Sequence, residues 1–296
     1  MKKHTLKDWF LATRPWSFPA SAMPIVVTVA YLFSKGAEIN WLMAVLALVG
    51  VVLFHTSGNL WSDYFDFKKK VDDVNTFGAT SLTTGQFQPN EIRNFAIGVL
   101  VVSVLIGLTI LYFTGLTVLW IGLAGAMFML LYPKMKYNAL GDVAIIMTFA
   151  FLPTIGNSFV TTGAIDWSVL YVALPIGLIT DAILHSNNTR DMITDKQAGI
   201  KTMAMCMGKK SAAWLYGFEV TYPAIWVGSL VVGGIFSWPT LIVLLTIPMS
   251  SKCAKTMIEG YNDTNTIAAL DMRTAQLQTA FSVALSIGFV ISKFIA

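Results

Sequence analysis

Nine long apolar segments constrain the fold of this sequence more than any other feature. A helix rises 1.5 Å per residue, so about 20 residues cross the roughly 30 Å hydrocarbon core of a bilayer. Backbone polar groups cannot stay unpaired in lipid, so each segment must be a helix. The sequence therefore predicts an all-α integral membrane protein, a bundle of about nine transmembrane helices forming one domain over residues 1–296. The segments are roughly 15–34, 41–63, 93–113, 116–132, 141–161, 167–188, 212–235, 239–256 and 273–294.

The composition supports this class and excludes others. Hydrophobic residues make up 55% of the chain and charged residues only 12%, against about 25% charged residues in soluble domains. Two cysteines imply no disulfide framework. No basic stripe with interleaved aromatic residues is present, so we expect no nucleic-acid partner. The first apolar run contains Pro15, Pro19 and Pro24 and no obvious small-residue cleavage site, which predicts a retained helix instead of a signal peptide.

The positive charges predict the orientation. With nine crossings, all of the 20 Lys and Arg residues except Lys35 and Lys293 fall on one side, which leaves 18 there. The positive-inside rule makes that side cytoplasmic. We therefore expect a multi-pass protein of the cell (inner) membrane, in contact with lipid, with its N-terminus in the cytoplasm and its C-terminus outside. The longer loops also lie on the cytoplasmic side, which favours that side for function.

A first group of polar residues ends the second apolar segment. Asp63 lies 22 residues past Trp41, roughly 33 Å along a helix, and therefore at the far face of the membrane. Asn59, Asp63 and Asp66 follow one another at steps of four and three, so they share one helix face. His55, one turn earlier, continues this face into the membrane.

A second group repeats the pattern at the end of the sixth segment. Asn187, Asp191 and Asp195 recur every four residues, and Asp181, His185 and Asn188 precede them. Two acidic helix ends at one membrane surface suggest divalent cations that hold a phosphate-rich substrate, and Mg²⁺ favours one or two carboxylates completed by water and phosphate oxygens. The alternative is that these are ordinary solvated charges. Acidic residues at a helix C-terminus, however, oppose the helix dipole by about 0.3–1 kcal/mol each.

These blocks resemble the UbiA-type intramembrane aromatic prenyltransferases, and the resemblance covers most of the chain. Within that family the sequence is most similar to the 1,4-dihydroxy-2-naphthoate prenyltransferases of menaquinone synthesis. The blocks that carry the resemblance are Asn59-x-x-x-Asp63-x-x-Asp66, Asn187-Asn188-x-Arg190-Asp191-x-x-x-Asp195-x-x-x-Gly199-x-x-Thr202, Arg14-Pro15, Pro19-Ala20-Ser21, and Tyr132-Pro133 through Lys136-Tyr137 and Gly141-Asp142.

The resemblance implies a reaction and a set of residues. The donor would be an allylic polyprenyl diphosphate and the acceptor a small aromatic molecule, 1,4-dihydroxy-2-naphthoate, which loses carbon dioxide as it is prenylated. Mg²⁺ would assist ionisation of the diphosphate, and an electron-rich ring would attack the resulting carbocation. The implied metal ligands are Asn59, Asp63, Asp66, Asn187, Asp191 and Asp195. The implied substrate-binding residues are Arg14, Lys136, Asn188, Arg190 and Lys201, with Asp63, Asp66, Asp191 and Asp195 catalytic.

Asp181 stands out because it is predicted to lie inside the membrane. It is 14 residues past Trp167, about 21 Å along the helix, and an intramembrane carboxylate costs at least about 2.5–3.5 kcal/mol. We therefore treat Asp181 as a candidate catalytic residue that, with His185, orients or deprotonates the hydroxyl of the acceptor. The alternative is a polar pair satisfied within the bundle. His55 either lines the acceptor pocket or makes a structural contact between helices.

Other functions are open to the sequence. A secondary transporter also carries acidic residues within its helices, but its sites lie near the midplane in broken helices of repeated halves. A prenyltransferase of the same superfamily with another acceptor would share both acidic groups. A CDP-alcohol phosphotransferase also uses paired Asp motifs, but its Asp-Gly start and downstream Gly-x-x-x-Asp-x-x-x-Asp are absent here. A scaffold without catalysis fits least well, because both acidic groups are intact.

Overall fold

The computed structural model describes residues 4–68, 80–197 and 199–295, and all regular structure in these ranges is helical. Nine long helical segments make up most of the described chain, and short helices connect some of them. We number the long segments α1 (Pro15–Ser34), α2 (Trp41–Lys68), α3 (Pro89–Thr114), α4 (Thr117–Lys136), α5 (Gly141–Thr162), α6 (Trp167–Arg190), α7 (Lys209–Val232), α8 (Trp238–Gly260) and α9 (Thr264–Ile295). The short helices are Leu6–Ala12, Thr80–Thr83, Met192–Gln197 and Met203–Met207.

The nine predicted segments correspond to these nine elements, and the prediction of an all-α membrane protein is confirmed. In the described part of the chain, eight elements are long and apolar enough to cross a bilayer, and α4 contains a shorter apolar stretch, Thr117–Tyr132. The predicted boundaries of α8 were too narrow. It runs over 23 residues, with 3-10 turns at Trp238–Thr246 before an α-helix at Ile247–Gly260.

Local sequence explains where several of these helices begin and end. Pro89 occupies the first turn of α3, where its missing N–H costs nothing, and Gln88 and Glu91 form a reciprocal capping box around it. Gly163 ends α5 with a φ of +79°, a left-handed conformation that favours glycine. The tight α5–α6 connection depends on this residue.

Contacts between loops define the two ends of the bundle. At one end, the Lys35 ammonium after α1 reaches the Asp166 carboxylate before α6 at 2.5 Å, and the Asn40 amide before α2 donates to the Thr161 carbonyl near the end of α5 at 2.9 Å. Helices α2 and α6 therefore start at this end and finish at the other. We call the end where both finish the motif end.

The main core lies between α1, α6, α7, α8 and α9. Tyr216 and Phe281 are among its largest fully buried side chains. The packing of α9 against the start of α8 is close, because a Cβ at Gly288 would lie only 2.6 Å from Thr240 Cα and 2.8 Å from the Pro239 carbonyl oxygen. Much of α3 faces outward with large apolar side chains, including Leu105 and Tyr112, as expected of a helix in contact with lipid.

A π-helical turn interrupts α5 at Met147–Phe151. It packs against α6 where Gly177 has no side chain, and a Cβ there would lie 2.9 Å from the Ala150 Cβ. The turn carries Phe149, whose ring meets the His55 ring edge-on at 4.9 Å between centroids. Such turns change the direction of side chains within a helix and are frequent at functional sites.

Candidate active site

The first acidic group is held by the start of α1. Three polar pairs join the two helices in antiparallel order, and they lie about one turn apart, so both partners present a single face. This arrangement confirms that His55, Asn59 and Asp63 share one side of α2. The pairs are the Arg14 guanidinium with the Asp63 carboxylate, the Asn59 amide donating to Ser17 Oγ at 3.1 Å, and His55 Nδ1 with Ser21 Oγ at 3.1 Å.

Arg14 is positioned by an unusual backbone conformation. Its φ is +55°, in the left-handed region that non-glycine residues rarely adopt. Its carbonyl accepts the Ser17 hydroxyl at 2.8 Å, and its side chain pairs with Asp63, which is only 3% exposed. The conformation brings a cation to a buried carboxylate at the motif end. Strain of this kind is found at functional sites.

The second acidic group is held by an arginine from its own helix. Arg190 Nε and Nη2 donate to Asp191 Oδ1 and Oδ2, both at 2.7 Å, which is the bidentate geometry that favours carboxylate recognition. Arg190 Nη1 is 3.4 Å from Asp271 Oδ2 and 3.3 Å from the Ala268 carbonyl oxygen. The arginine is 7% exposed and thereby joins the end of α6 to α9.

The same helices connect the two groups. Residues Pro15–Ser17, next to Arg14, contact α9, and the rest of α1 packs along it. Because α9 also carries Asp271, the Arg14–Asp63 pair and the Arg190–Asp191 pair both lie beside α9 at the motif end. The expectation that the two acidic groups share one end of the bundle is therefore met.

Asp195 lies one turn beyond Asp191, outside the membrane-spanning segments. Burial raises the pKa of its carboxyl, the charge of Lys136 opposes this rise, and the nearby Asp191 adds to it. The half-buried Lys136 thus belongs to this acidic group. The Ile200 amide donates to the Asp195 carbonyl at 2.8 Å, which folds the following loop back onto the short helix Met192–Gln197.

The remaining predicted site residues have fewer described side-chain contacts. Asn188 is buried, and Asn187 Oδ1 is buried without a hydrogen-bond partner in the part of the chain that the structure describes. The Lys201 side chain is exposed, while its carbonyl accepts the Ala139 amide at 2.8 Å. Asp66 belongs to α2, but its side chain lies outside the described part.

A second polar group lies deeper in the bundle, and sequence reasoning found only half of it. His185 Nδ1 is 3.1 Å from Glu219 Oε1 of α7, and neither side chain is more than 3% exposed. Asp181 and Asp142 are buried as well, and the first turns of α5, which carry Asp142, pack against α6, which carries Asp181 and His185. Glu219, like Asp181, is a carboxyl residue within an apolar span, and this signal could have identified it from the sequence. It was not among the residues predicted from the sequence.

The donor set at the motif end fits a hard cation. Carboxylates and amide oxygens are the ligand types that Mg²⁺ prefers, and buried Asn187 Oδ1 has no other partner among the described residues. Within those same residues, however, no group of three or more His, Cys, Asp or Glu side chains is arranged to hold a metal ion. A cation here would therefore need oxygen ligands from a substrate as well as from the protein.

Comparison with known proteins identifies the family. Residues 22–277 match the model of the UbiA prenyltransferase family. The chain belongs to this family. One relative, UbiA prenyltransferase domain-containing protein 1 of Xenopus tropicalis, is 30% identical over 98% of this chain and 84% of its own length. Another, the 1,4-dihydroxy-2-naphthoate octaprenyltransferase of Bacillus subtilis (strain 168), is 28% identical over 95% of this chain and 92% of its own length.

Solved structures show the same fold. The apo structure of a UbiA homologue from Aeropyrum pernix K1 aligns with a TM-score of 0.70 at 15% identity, over 92% of this chain and 97% of that one. A UbiA homologue from Archaeoglobus fulgidus, solved with GPP and Mg²⁺, aligns with a TM-score of 0.52 at 13% identity, over 94% and 99% of the two chains. The predictions of a multi-pass membrane protein and of a UbiA-family prenyltransferase are thus confirmed.

Proposed function

We propose that this UbiA-family protein transfers a prenyl group from an allylic polyprenyl diphosphate to an aromatic acceptor, with 1,4-dihydroxy-2-naphthoate as the acceptor and Mg²⁺ as the cofactor. The observation that carries the proposal is the pairing of Asp63 with Arg14 and of Asp191 with Arg190 at one end of a membrane-embedded bundle. Both charge types that a metal–diphosphate complex needs are present there. The named relative from Bacillus subtilis and the solved GPP–Mg²⁺ complex of a structural neighbour support the same reading.

The proposed metal ligands are Asn59, Asp63, Asp66, Asn187, Asp191 and Asp195. Bound Mg²⁺ would neutralise charge that develops on the departing diphosphate. The protein itself would stabilise the diphosphate through Arg14 and Arg190, because their guanidinium groups bind phosphate oxygens as well as they bind carboxylates. Lys136 and Lys201 add positive charge nearby, and buried Asn188 supplies an amide for substrate binding. Enclosure by the helices excludes water that would otherwise quench a carbocation.

The reaction balances without an added oxidant or base. The C1–O bond of the prenyl diphosphate breaks, and both electrons leave with the diphosphate. An electron pair of the acceptor ring forms the new bond to C1. If the attacked carbon bears a carboxylate, the pair of its bond to that group restores aromaticity as carbon dioxide leaves. We place the enzyme in menaquinone biosynthesis in the cell (inner) membrane, with the N-terminus in the cytoplasm and the C-terminus outside.

A different acceptor is the main competing assignment, because several relatives, including those of Xenopus tropicalis and Danio rerio, carry a domain name that specifies no acceptor. The test uses purified protein with Mg²⁺, a labelled polyprenyl diphosphate and a panel of aromatic acids, and it identifies the lipid product by mass. We expect product from 1,4-dihydroxy-2-naphthoate with the loss of carbon dioxide. Transfer only to 4-hydroxybenzoate, with its carboxylate retained, would overturn the acceptor. Uptake of labelled substrate into vesicles without any product would favour transport.

A further inference from the structure

The buried group Asp142, Asp181, His185 and Glu219 contains more hydrogen-bond acceptors than the surrounding protein satisfies. Each residue is at most 3% exposed. In the described part of the chain, five of its atoms form no hydrogen bond of acceptable distance and angle, namely both Asp142 carboxyl oxygens, Asp181 Oδ1, Glu219 Oε2 and His185 Nε2. Buried polar atoms are normally paired, so a set of five requires an explanation.

The position of this group fits a second substrate beneath a diphosphate. His185 and Asp181 precede Asp191 by six and ten residues, about 9 and 15 Å along α6. Glu219 lies ten residues after Lys209, where α7 begins at the motif end, and thus at a similar depth of about 15 Å. Asp142 is brought to the same helix because α5 starts against Leu184, which would lie 3.8 Å from a Cβ at Gly141.

The contact between Glu219 and His185 fixes the ring of the histidine. Its Nδ1 edge faces the Glu219 carboxyl at 3.1 Å, and an Nδ1–H donated to that carboxylate leaves Nε2 as a hydrogen-bond acceptor. The two ring nitrogens lie on different edges, so the unpartnered Nε2 points away from α7. The first turns of α5, which carry Asp142, pack against α6, so the Asp142 carboxyl lies in the same part of the bundle as Asp181 and His185.

The ligand that suits this arrangement is a hydrogen-bond donor. No group of His, Cys, Asp and Glu in the described ranges has the arrangement of a metal site, so a metal ion held by protein side chains alone is not the expected occupant. A ring that carries two hydroxyl groups supplies donors to carboxyl oxygens and to a ring nitrogen, and its flat apolar faces suit a membrane interior. The phenolic oxygens also give the ring the electron density that attack on an allylic cation requires.

From these observations we infer that Glu219 is a positioning residue that aims His185 Nε2 into a buried binding site, completed by Asp142 and Asp181, for the hydroxyl groups of an aromatic diol. The inference rests on the proposed prenyl transfer and specifies how its acceptor is recognised. It assigns binding-site roles to Glu219 and Asp142. It also gives Asp181 and His185 the same ligand, the hydroxyl groups of the acceptor.

The test separates the acceptor from the prenyl donor. Initial rates are measured for the wild type, Glu219→Leu, Glu219→Gln and Asp142→Asn, with each substrate varied while the other is saturating. We expect Glu219→Leu and Asp142→Asn to raise the KM for 1,4-dihydroxy-2-naphthoate at least tenfold and to change the KM for the prenyl diphosphate less than twofold. Glu219→Gln, whose amide still reaches Nδ1, should restore most of the acceptor affinity.

Tyr216→Phe is the matched control, because Tyr216 lies one turn before Glu219 on α7 and its buried hydroxyl contacts Thr274 Oγ1 at 2.6 Å. It should lower the melting temperature and leave both KM values within twofold. If Glu219→Leu does not fold, Asp142→Asn carries the test with the same expected split. A 1,4-dimethoxy analogue of the acceptor should bind the wild type at least tenfold more weakly than the diol.

Two results would overturn the inference in distinguishable ways. In the first, the wild type prenylates the acceptor, but the variants either raise both KM values equally or change neither of them. Glu219 and Asp142 would then have only a structural role, and the proposed function would survive. If the wild type prenylates no aromatic acceptor at all, the proposed function fails and the inference fails with it.

Discussion

The Arg190 guanidinium binds both oxygens of the neighbouring Asp191 carboxylate at 2.7 Å. In this state the acidic residue at the end of α6 is neutralised by its own helix. Asp63 is neutralised in the same manner by Arg14 from α1. Under the proposed function these arginines exchange a carboxylate for a phosphate when the metal–diphosphate complex binds.

Replacement of Arg190 by lysine tests the importance of the bidentate geometry. Lysine keeps the charge but cannot form two parallel hydrogen bonds, so we expect Arg190→Lys to lower kcat/KM for the prenyl diphosphate by at least tenfold. Asp271→Asn is the control, because its oxygen lies 3.4 Å from Arg190 Nη1, too far for a strong hydrogen bond. That variant should stay within threefold of the wild type. Equal losses in both variants would show that the Asp191 contact has no special role.

The ion pair at the end opposite the motifs should contribute to stability and not to catalysis. Although partial burial opposes it, the hydrogen bond to Asp166 raises the pKa of Lys35. Burial likewise opposes ionisation of Asp166, but Lys35 and Ser168 lower the pKa of its carboxyl. Asp166→Asn keeps a side-chain oxygen that accepts the Ser168 amide and removes the negative charge of the carboxylate. Because both side chains are partly exposed, we expect a loss of about 0.5–1 kcal/mol in the free energy of unfolding at pH 7.

The pH dependence of that loss has a defined sign. A lowered pKa means that the stabilisation by Asp166 is present above the ordinary carboxylate range and disappears as the pH falls through the lowered value. Because the pKa of Lys35 is raised, its contribution to the stability persists until strongly alkaline pH. The stabilities of the wild type and of Asp166→Asn in detergent should therefore converge once the pH has fallen well below the ordinary carboxylate range. A difference that persists unchanged at that pH would contradict an electrostatic origin.

The close packing of α9 against α8 can be tested with a single methyl group. A Cβ at Gly288 would meet the backbone at Thr240 and Pro239, and backbone cannot move aside as a side chain can. We expect Gly288→Ala to destabilise the protein by about 1–3 kcal/mol. At Gly228, within α7, a Cβ would meet nothing within 4 Å, so Gly228→Ala should be neutral or slightly stabilising. Similar melting temperatures for the two variants would show that the α8–α9 contact is looser than described.

The sequence predicted the parts of this protein that follow from local periodicity. Hydropathy located all nine helices, and the steps of three and four residues put His55, Asn59 and Asp63 on one face, because helical geometry determines both. The end of α8 was missed by four residues, because the apolar run stops before Glu259 although the α-helix continues to Gly260.

Contacts between distant helices could not be predicted in this manner. Glu219 lies 34 residues from His185, and Asp271 lies 81 residues from Arg190. Periodicity within one helix contains no information about which other helix packs against it. Glu219 and Asp142 were nevertheless detectable as carboxyl groups in or beside apolar spans, the signal that identified Asp181. Only their convergence on His185 required the structure.

The account depends on one claim, that both acidic groups act together on a single metal-bound prenyl diphosphate. The most direct measurement is the equilibrium binding of a non-hydrolysable prenyl diphosphate to the wild type, Asp63→Asn, Asp191→Asn and the double variant, each with Mg²⁺ and with EDTA. The account predicts that each single variant loses at least tenfold in Mg²⁺-dependent affinity and that the double variant is little worse than either, since both residues serve one ligand. Binding that is insensitive to EDTA, or that is unchanged in both single variants, would contradict it.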